Sequence, residues 1–167
     1  MKTIEKVVVP VDFHQHTNDL ADFAIGVATK LEASVLFVHV ASVAEHALSL
    51  LDYSAEAFKL LNEKINAHAE EKMAALIEKS KTLCPGCNGV VLNGDVADAL
   101  IAYTMENNID LIIMGTHGAQ GIEKILLGSV AERVLKRSSC PVLVFNPYKG
   151  ESGYKISSSI KEAVLPV

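Results

Sequence analysis

Hydrophobic positions along this chain follow two rhythms. Five short runs are continuously apolar: "KVVVPVD" at 6–12, "ASVLFVHVA" at 33–41, "NGVVLNG" at 88–94, "DLIIMG" at 110–115 and "PVLVF" at 141–145. Runs of this length, bounded by polar or turn residues, read as strands, the first of them buried on both faces. Pro10 has no N–H to give to a ladder, so it belongs where the first strand ends. Between the runs, hydrophobics recur every three or four residues, the helical period. Thr17 is placed to cap a helix over 18–32, with Leu20, Ala24, Val27, Ala28 and Leu31 on one face. A longer helix is predicted over 54–82, with Leu61, Ile65, Ala69, Met73, Leu76 and Ile77 near one stripe. Asp95 and Asp98 open a third helix, ended near residue 106 by Asn107 and Asn108. Ser129 and Glu132 match the S-x-x-E capping box of a fourth, which runs to about residue 137, where Lys136 and Arg137 suit its negative end. Residues 42–53, "SVAEHALSLLDY", read as an irregular or partly helical connection.

Strands that alternate with helices predict an α/β domain with a parallel sheet and right-handed crossovers. Asp12 and Gly115 each end a strand. They can serve one ligand only if the first and fourth strands are neighbours. That places the strands in the order 3-2-1-4-5, a flavodoxin-like open sheet with helices on both faces, and ligands bind where such a winding reverses. Residues 1–148 form a single domain in this reading, and residues 149–167 a Ser- and Lys-containing tail.

Composition narrows the function. Half of the 167 residues are hydrophobic and 21% are charged, which supports a packed core and argues against disorder. With five Phe, four Tyr and no Trp, that core must be aliphatic. A net charge of -5 without a basic block makes nucleic acid a poor partner. The longest apolar run, around "VLFV", falls far short of the ~20 residues a membrane span needs. The start reaches Asp12 too early for a secretory signal, so a cytoplasmic location is expected. Three cysteines do not suggest a disulfide framework. "CPGC" at 84–87 follows a helix rather than starting one, so it is not a thioredoxin-type motif, and Cys140 alone does not complete a zinc site. It reads as a turn that is inert, or oxidised under stress. "HQH" at 14–16 has no third ligand and reads as a solvated pair.

The densest chemistry lies in "IIMGTHGAQGIEKILLGSVAE", residues 112–132, where Gly115, Gly118, Gly121 and Gly128 separate a strand end from a helix start. Glycines let a backbone approach an anion, and a helix N-terminus offers free N–H groups and a positive dipole end. Neither the dinucleotide fingerprint nor the P-loop pattern is present. What is present is G-x2-G-x9-G-[ST], completed by Ser129. A plain tight connection is the alternative for the glycines, and a capping or solvated residue for Asp12.

In "VVVPVD", "DLIIMGTHG" and "LLGSVAERVLKRSSCPVLVF" the chain resembles the universal stress protein family, in its nucleotide-binding branch, to about Pro147. The resemblance implies an adenine nucleotide alpha hydrolase-like fold that binds ATP, AMP or ADP, with Mg2+ bridging the phosphates. It implies Asp12 near the ribose and adenine. Pro10, Val11 and Val40 would supply backbone and apolar walls, Met114 and Gly115 the floor, and Gly118, Gly128, Ser129 and Val130 the phosphate cradle. The family often places Ser or Thr two residues after the aspartate. Here Phe13, His14, Gln15 and His16 follow, and that hydroxyl is missing. His117 and Glu123 are the ionisable residues near the loop, and no motif positions either as a base. The expected role is a nucleotide-dependent sensor or regulator of stress response. A slow ATP hydrolase and a dimeric scaffold that no longer binds nucleotide are the alternatives. The uncharged run Pro141 to Phe145 would be an open sheet edge, which predicts a homodimer through the fifth strand with the tail docked on the partner.

Overall fold

A computed structural model describes residues 3–41, 55–116 and 127–147. The connection at 42–53, the glycines at 118 and 121 and the tail from 149 lie outside those residues. The elements run β1 (Lys6–Pro10), α1 (Thr17–Leu31), β2 (Ser34–Ala41), α2 (Ala55–Ser80), β3 (Asn88–Asn93), α3 (Val96–Glu106), β4 (Leu111–Gly115), α4 (Ser129–Arg137) and β5 (Val142–Phe145). All strand pairs are parallel, in the order β3-β2-β1-β4-β5. The order expected from Asp12 and Gly115 is the one observed.

The central strands explain their own sequences. Val7, Val8 and Val9 of β1 are fully buried, and so are Ile112 and Ile113 of β4. Alternate residues feed two separate cores. Val7, Val9, Phe37 and Ile113 meet Leu20, Ala24 and Ile25 of α1 and Met73 and Leu76 of α2. Val8, Val38, Val40, Ile112 and Met114 meet Ala97 and Leu100 of α3 and Ala131 and Val134 of α4. The edge strands β3 and β5 have no fully buried residue.

Three helix expectations are corrected. Thr17 is the first residue of α1 rather than its cap, and the helix ends at Leu31, followed by Glu32 in the left-handed region (φ 56°). Its buried stripe adds Ala21 and Ile25, while Val27 is half-buried and Leu31 is exposed. In α2 the burial begins only at Ala69. Twenty-six residues make a helix of ~39 Å, about twice the ~20 Å of the six-residue β3. The sheet therefore cannot cover the whole expected stripe, and Leu61 is exposed. The S-x-x-E capping box does not form either. Gly128 is the N-cap of α4, Ser129 is already helical, and among the described residues no side chain caps that end.

Candidate functional site at the sheet reversal

β1 and β4 are neighbours, but β1 continues into α1 on one face and β4 leads toward α4 on the other. Asp12 lies two residues beyond the end of β1. Its Oδ1 accepts hydrogen bonds from His14 N (3.0 Å) and from Thr17 Oγ1 (3.2 Å). Thr17, inside the helix, thus directs its buried hydroxyl at the Asp12 carboxylate. Sequence reasoning had placed Thr17 as a cap. Its five-residue offset from Asp12 was the available signal.

Phe13 occupies the left-handed region at φ 59°, which is rare for a bulky residue. Packing holds it there. Its ring lies 4.5 Å from the His39 ring, centroid to centroid, and Lys72 Nζ stands 6.0 Å from its centroid. His39 Nδ1 carries its proton and donates to the Val11 carbonyl at 2.8 Å, because a carbonyl only accepts. Val11 N in turn donates to Val38 O at 2.8 Å. Neither His39 nor Phe13 carried any motif that marked it in the sequence.

The residues expected around the ligand separate by face. Val40 and Met114 are buried in one cluster, with Val130 and Leu127 packed against it. The Val11 side chain belongs to the opposite core, so what it offers this face is backbone. Pro10 is half-buried at the strand end and Gly115 half-buried beside Phe145 of β5. Gly118 lies outside the described residues, as do His117 and Glu123.

The glycine segment begins and ends on one hydrogen bond. Thr116 N donates to Phe145 O (2.8 Å), and Gly128 N donates to Thr116 O (2.7 Å). The Gly128 N–H is therefore occupied within the chain. The first helical bond is Glu132 N to Gly128 O at 2.9 Å. The N–H groups of Ser129, Val130 and Ala131 precede it and have no intrahelical acceptor. Ser129 is exposed.

Charge next to this end is already paired. Arg133 donates to both oxygens of Asp95 (2.9 and 2.8 Å) and to Asp98 Oδ1 (3.1 Å), and Arg137 also reaches Asp98. The Arg133 hydrogen bonds, together with Asp98 N, hold the Asp95 carboxyl at about 2. Lys136 likewise lowers the carboxyl of Glu132 through a 2.5 Å hydrogen bond. Among the described residues, no group of three or more His, Cys, Asp or Glu side chains is arranged to hold a metal ion, and no helix is long and apolar enough to cross a membrane.

Residues 3–146 match the model of the universal stress protein family. A universal stress protein of Methanocaldococcus jannaschii is 32% identical over 148 residues, 88% of this chain and 85% of that protein. Among solved structures, UspA from Lactobacillus plantarum superposes with a TM-score of 0.72 at 19% identity, covering 87% of this chain and 99% of its own. A family member from Arabidopsis thaliana with AMP bound gives 0.58 at 17% identity, covering 92% and 98%. Other structural neighbours hold dAMP or cAMP. At such identities the structures speak to the fold. The family match over 3–146, the 32% relative and the sheet order together establish that this chain belongs to the universal stress protein family.

Proposed function

We propose that the protein binds an adenine nucleotide at the C-terminal end of its sheet and acts as a nucleotide-dependent regulator in stress response. The observation that carries this reading is the open start of α4. Its first-turn N–H groups have no side-chain cap among the described residues, and they stand at the winding reversal on the sheet face where Val40 and Met114 are buried with Val130 packed against them. In this reading the phosphates lie on the N–H groups of Ser129, Val130 and Ala131 and against the backbone of Gly118. The apolar surface takes the base, with Pro10 and the Val11 backbone at its edge and Gly115 beneath the ribose. Asp12 faces the ribose hydroxyls with Oδ2, since Oδ1 already accepts two hydrogen bonds.

ATP with Mg2+ fits this arrangement, as do ADP and AMP. The magnesium would be a hard ion ligated by phosphate oxygens and water, because the described residues bring no ligand cluster of their own. The AMP, dAMP and cAMP bound by structural neighbours support the adenine class. Binding is favoured over rapid hydrolysis. Glu132, the acidic residue nearest Ser129 in sequence, is held by Lys136 and is a weakened base. Calorimetry with MgATP, AMP and MgGTP tests the reading. Binding of the adenine nucleotides, tighter than of MgGTP, is expected. Equal affinity for ATP and GTP, or none for either, overturns it.

The same reading includes a homodimer through the fifth strand, Pro141 to Phe145. Among the described residues β5 pairs with β4 alone and is half-buried along its length, with no charge to protect its edge. Light scattering should give a dimer for the wild type and a monomer for Val144→Lys. A monomeric wild type at micromolar concentration rejects the interface.

A further inference from the structure

One motif takes no part in the nucleotide site. Cys84, Pro85, Gly86 and Cys87 connect α2 to the edge strand β3, on the core opposite α4. Leu83 N and Cys84 N both donate to Ser80 O (3.0 and 2.8 Å), which turns the chain off the helix. Cys87 N then donates to Cys84 O at 3.1 Å and closes a four-residue turn with Pro85 and Gly86 at its centre. In a hydrogen-bonded turn of this kind the outer Cα atoms lie within ~7 Å. A disulfide needs ~4.4–6.8 Å. The backbone therefore holds the two cysteines at bridging separation before any bond forms. Both thiols are free.

We infer that Cys84 and Cys87 are a reversible oxidation site, a dithiol that closes into an intramolecular disulfide when it meets a low-molecular-weight disulfide. Burial assigns the order of events. Cys84 is half-exposed and is the sulfur that an oxidant reaches, while Cys87 is 5% exposed and packs with Met73 and Leu76. Pro85 and Gly86, between the two cysteines, are exposed. The deprotonated Cys84 sulfur attacks one sulfur of the oxidant RSSR and expels RS–, which takes up a proton. The Cys87 sulfur, losing its own proton, then attacks the Cys84 sulfur of this mixed disulfide and expels the second RS–, which is protonated in turn. Two thiols lose two electrons and two protons, and RSSR becomes two RSH.

This is a slow switch rather than a catalytic dithiol. Burial, with the charge of Cys87 next, pushes the Cys84 thiol up to about 11. Catalytic cysteines of C-x-x-C enzymes are instead lowered toward or below neutrality. Closure is therefore expected over hours of exposure, and the product ties the end of α2 to the start of β3.

The test uses the full chain with Cys140→Ser, so that only the pair remains. The protein is incubated with oxidised glutathione, denatured, alkylated and weighed. Two alkylatable thiols should fall to none, with no glutathione retained, and dithiothreitol should restore both. With Cys87→Ser added, Cys84 should keep a glutathione adduct. With Cys84→Ser added instead, Cys87 should stay alkylatable. Peptide mapping of the wild type gives the same answer if the variants fold poorly. Two thiols that still alkylate after prolonged exposure, or a stable glutathione adduct on Cys84 with Cys87 intact, overturn the assignment.

Discussion

The starts of α3 and α4 are a matched pair with opposite outcomes. Both helices pack on the same face of the sheet, and Arg133 of α4 reaches the cap of α3. The two cap residues have nearly the same extended backbone, Asp95 at φ -70°, ψ 131° and Gly128 at φ -73°, ψ 157°. Only the side chain differs. Asp95 accepts from Asp98 N at 3.0 Å and is gripped by Arg133, so the end of α3 is sealed by the protein itself. Gly128 has nothing to offer, so the end of α4 keeps its N–H groups and its positive dipole end for something else. A structural connection would be better served by the Asp95 solution. The protein uses it at α3 and leaves it out beside the sheet reversal.

The largest expected effect comes from closing the open end. Gly128→Asp puts a carboxylate at a cap whose φ of -73° suits any residue. The new carboxylate would accept from the first-turn N–H groups and repel phosphate. ATP affinity should fall by roughly two to four orders of magnitude, since about two charge-assisted hydrogen bonds of ~1.5–3 kcal/mol each are blocked. Thermal stability should hold or rise, because Asp is a preferred cap. Calorimetry and melting of one preparation separate the two readings. Unchanged ATP affinity means that phosphate does not use the start of α4.

The converse change opens the sealed end. Asp95→Ala removes the cap and both Arg133 hydrogen bonds, and should cost ~1 kcal/mol, with the exposed ion pair adding little. Nucleotide affinity should stay within twofold, because α3 is sealed in the wild type. Urea denaturation and calorimetry check this. A large loss of binding instead would place the Asp95–Arg133 pair within the site.

How legible these two ends were in the sequence differs for a physical reason. Continuous apolar runs fixed the five strands, and the need for Asp12 and Gly115 to converge fixed their order. Asp95 was read correctly because the residue that caps is also the residue that signals. At α4 the signal misled. Ser129 and Glu132 have the right spacing for a capping box, but that box needs Ser outside the helix, and the chain enters one residue earlier, at Gly128. Thr17 was displaced in the same way, from cap to first helical residue, where it supports Asp12. Phe13, His39 and Lys72 come together only through the fold, across three separate elements, so no local pattern could reveal them. Val40, Met114 and Val130, which the resemblance assigns to wall, floor and phosphate cradle, share one core, but strand alternation sends the Val11 side chain to the other.

The smallest effect isolates the charge in the sealed end. Arg133, then Asp98 N, hold the Asp95 carboxyl at about 2, below its ordinary 3.8. The folded protein therefore binds this proton more weakly than the unfolded chain does. The stabilisation is complete above the unfolded value of ~4 and is lost as pH falls toward ~2. Asn caps helices about as well as Asp, so Asp95→Asn keeps the cap and removes only the charge. The urea midpoint of the wild type should exceed that of Asp95→Asn at pH 6, and the two curves should converge by pH 2. The gap will be small, because the Arg133 and Asp95 side chains are 41% and 49% exposed and solvent screens them. Added salt at pH 6 should shrink it further. A gap that persists unchanged to pH 2 would mean that Asp95 acts through shape and hydrogen bonding alone, and that Arg133 contributes no charge to the seal.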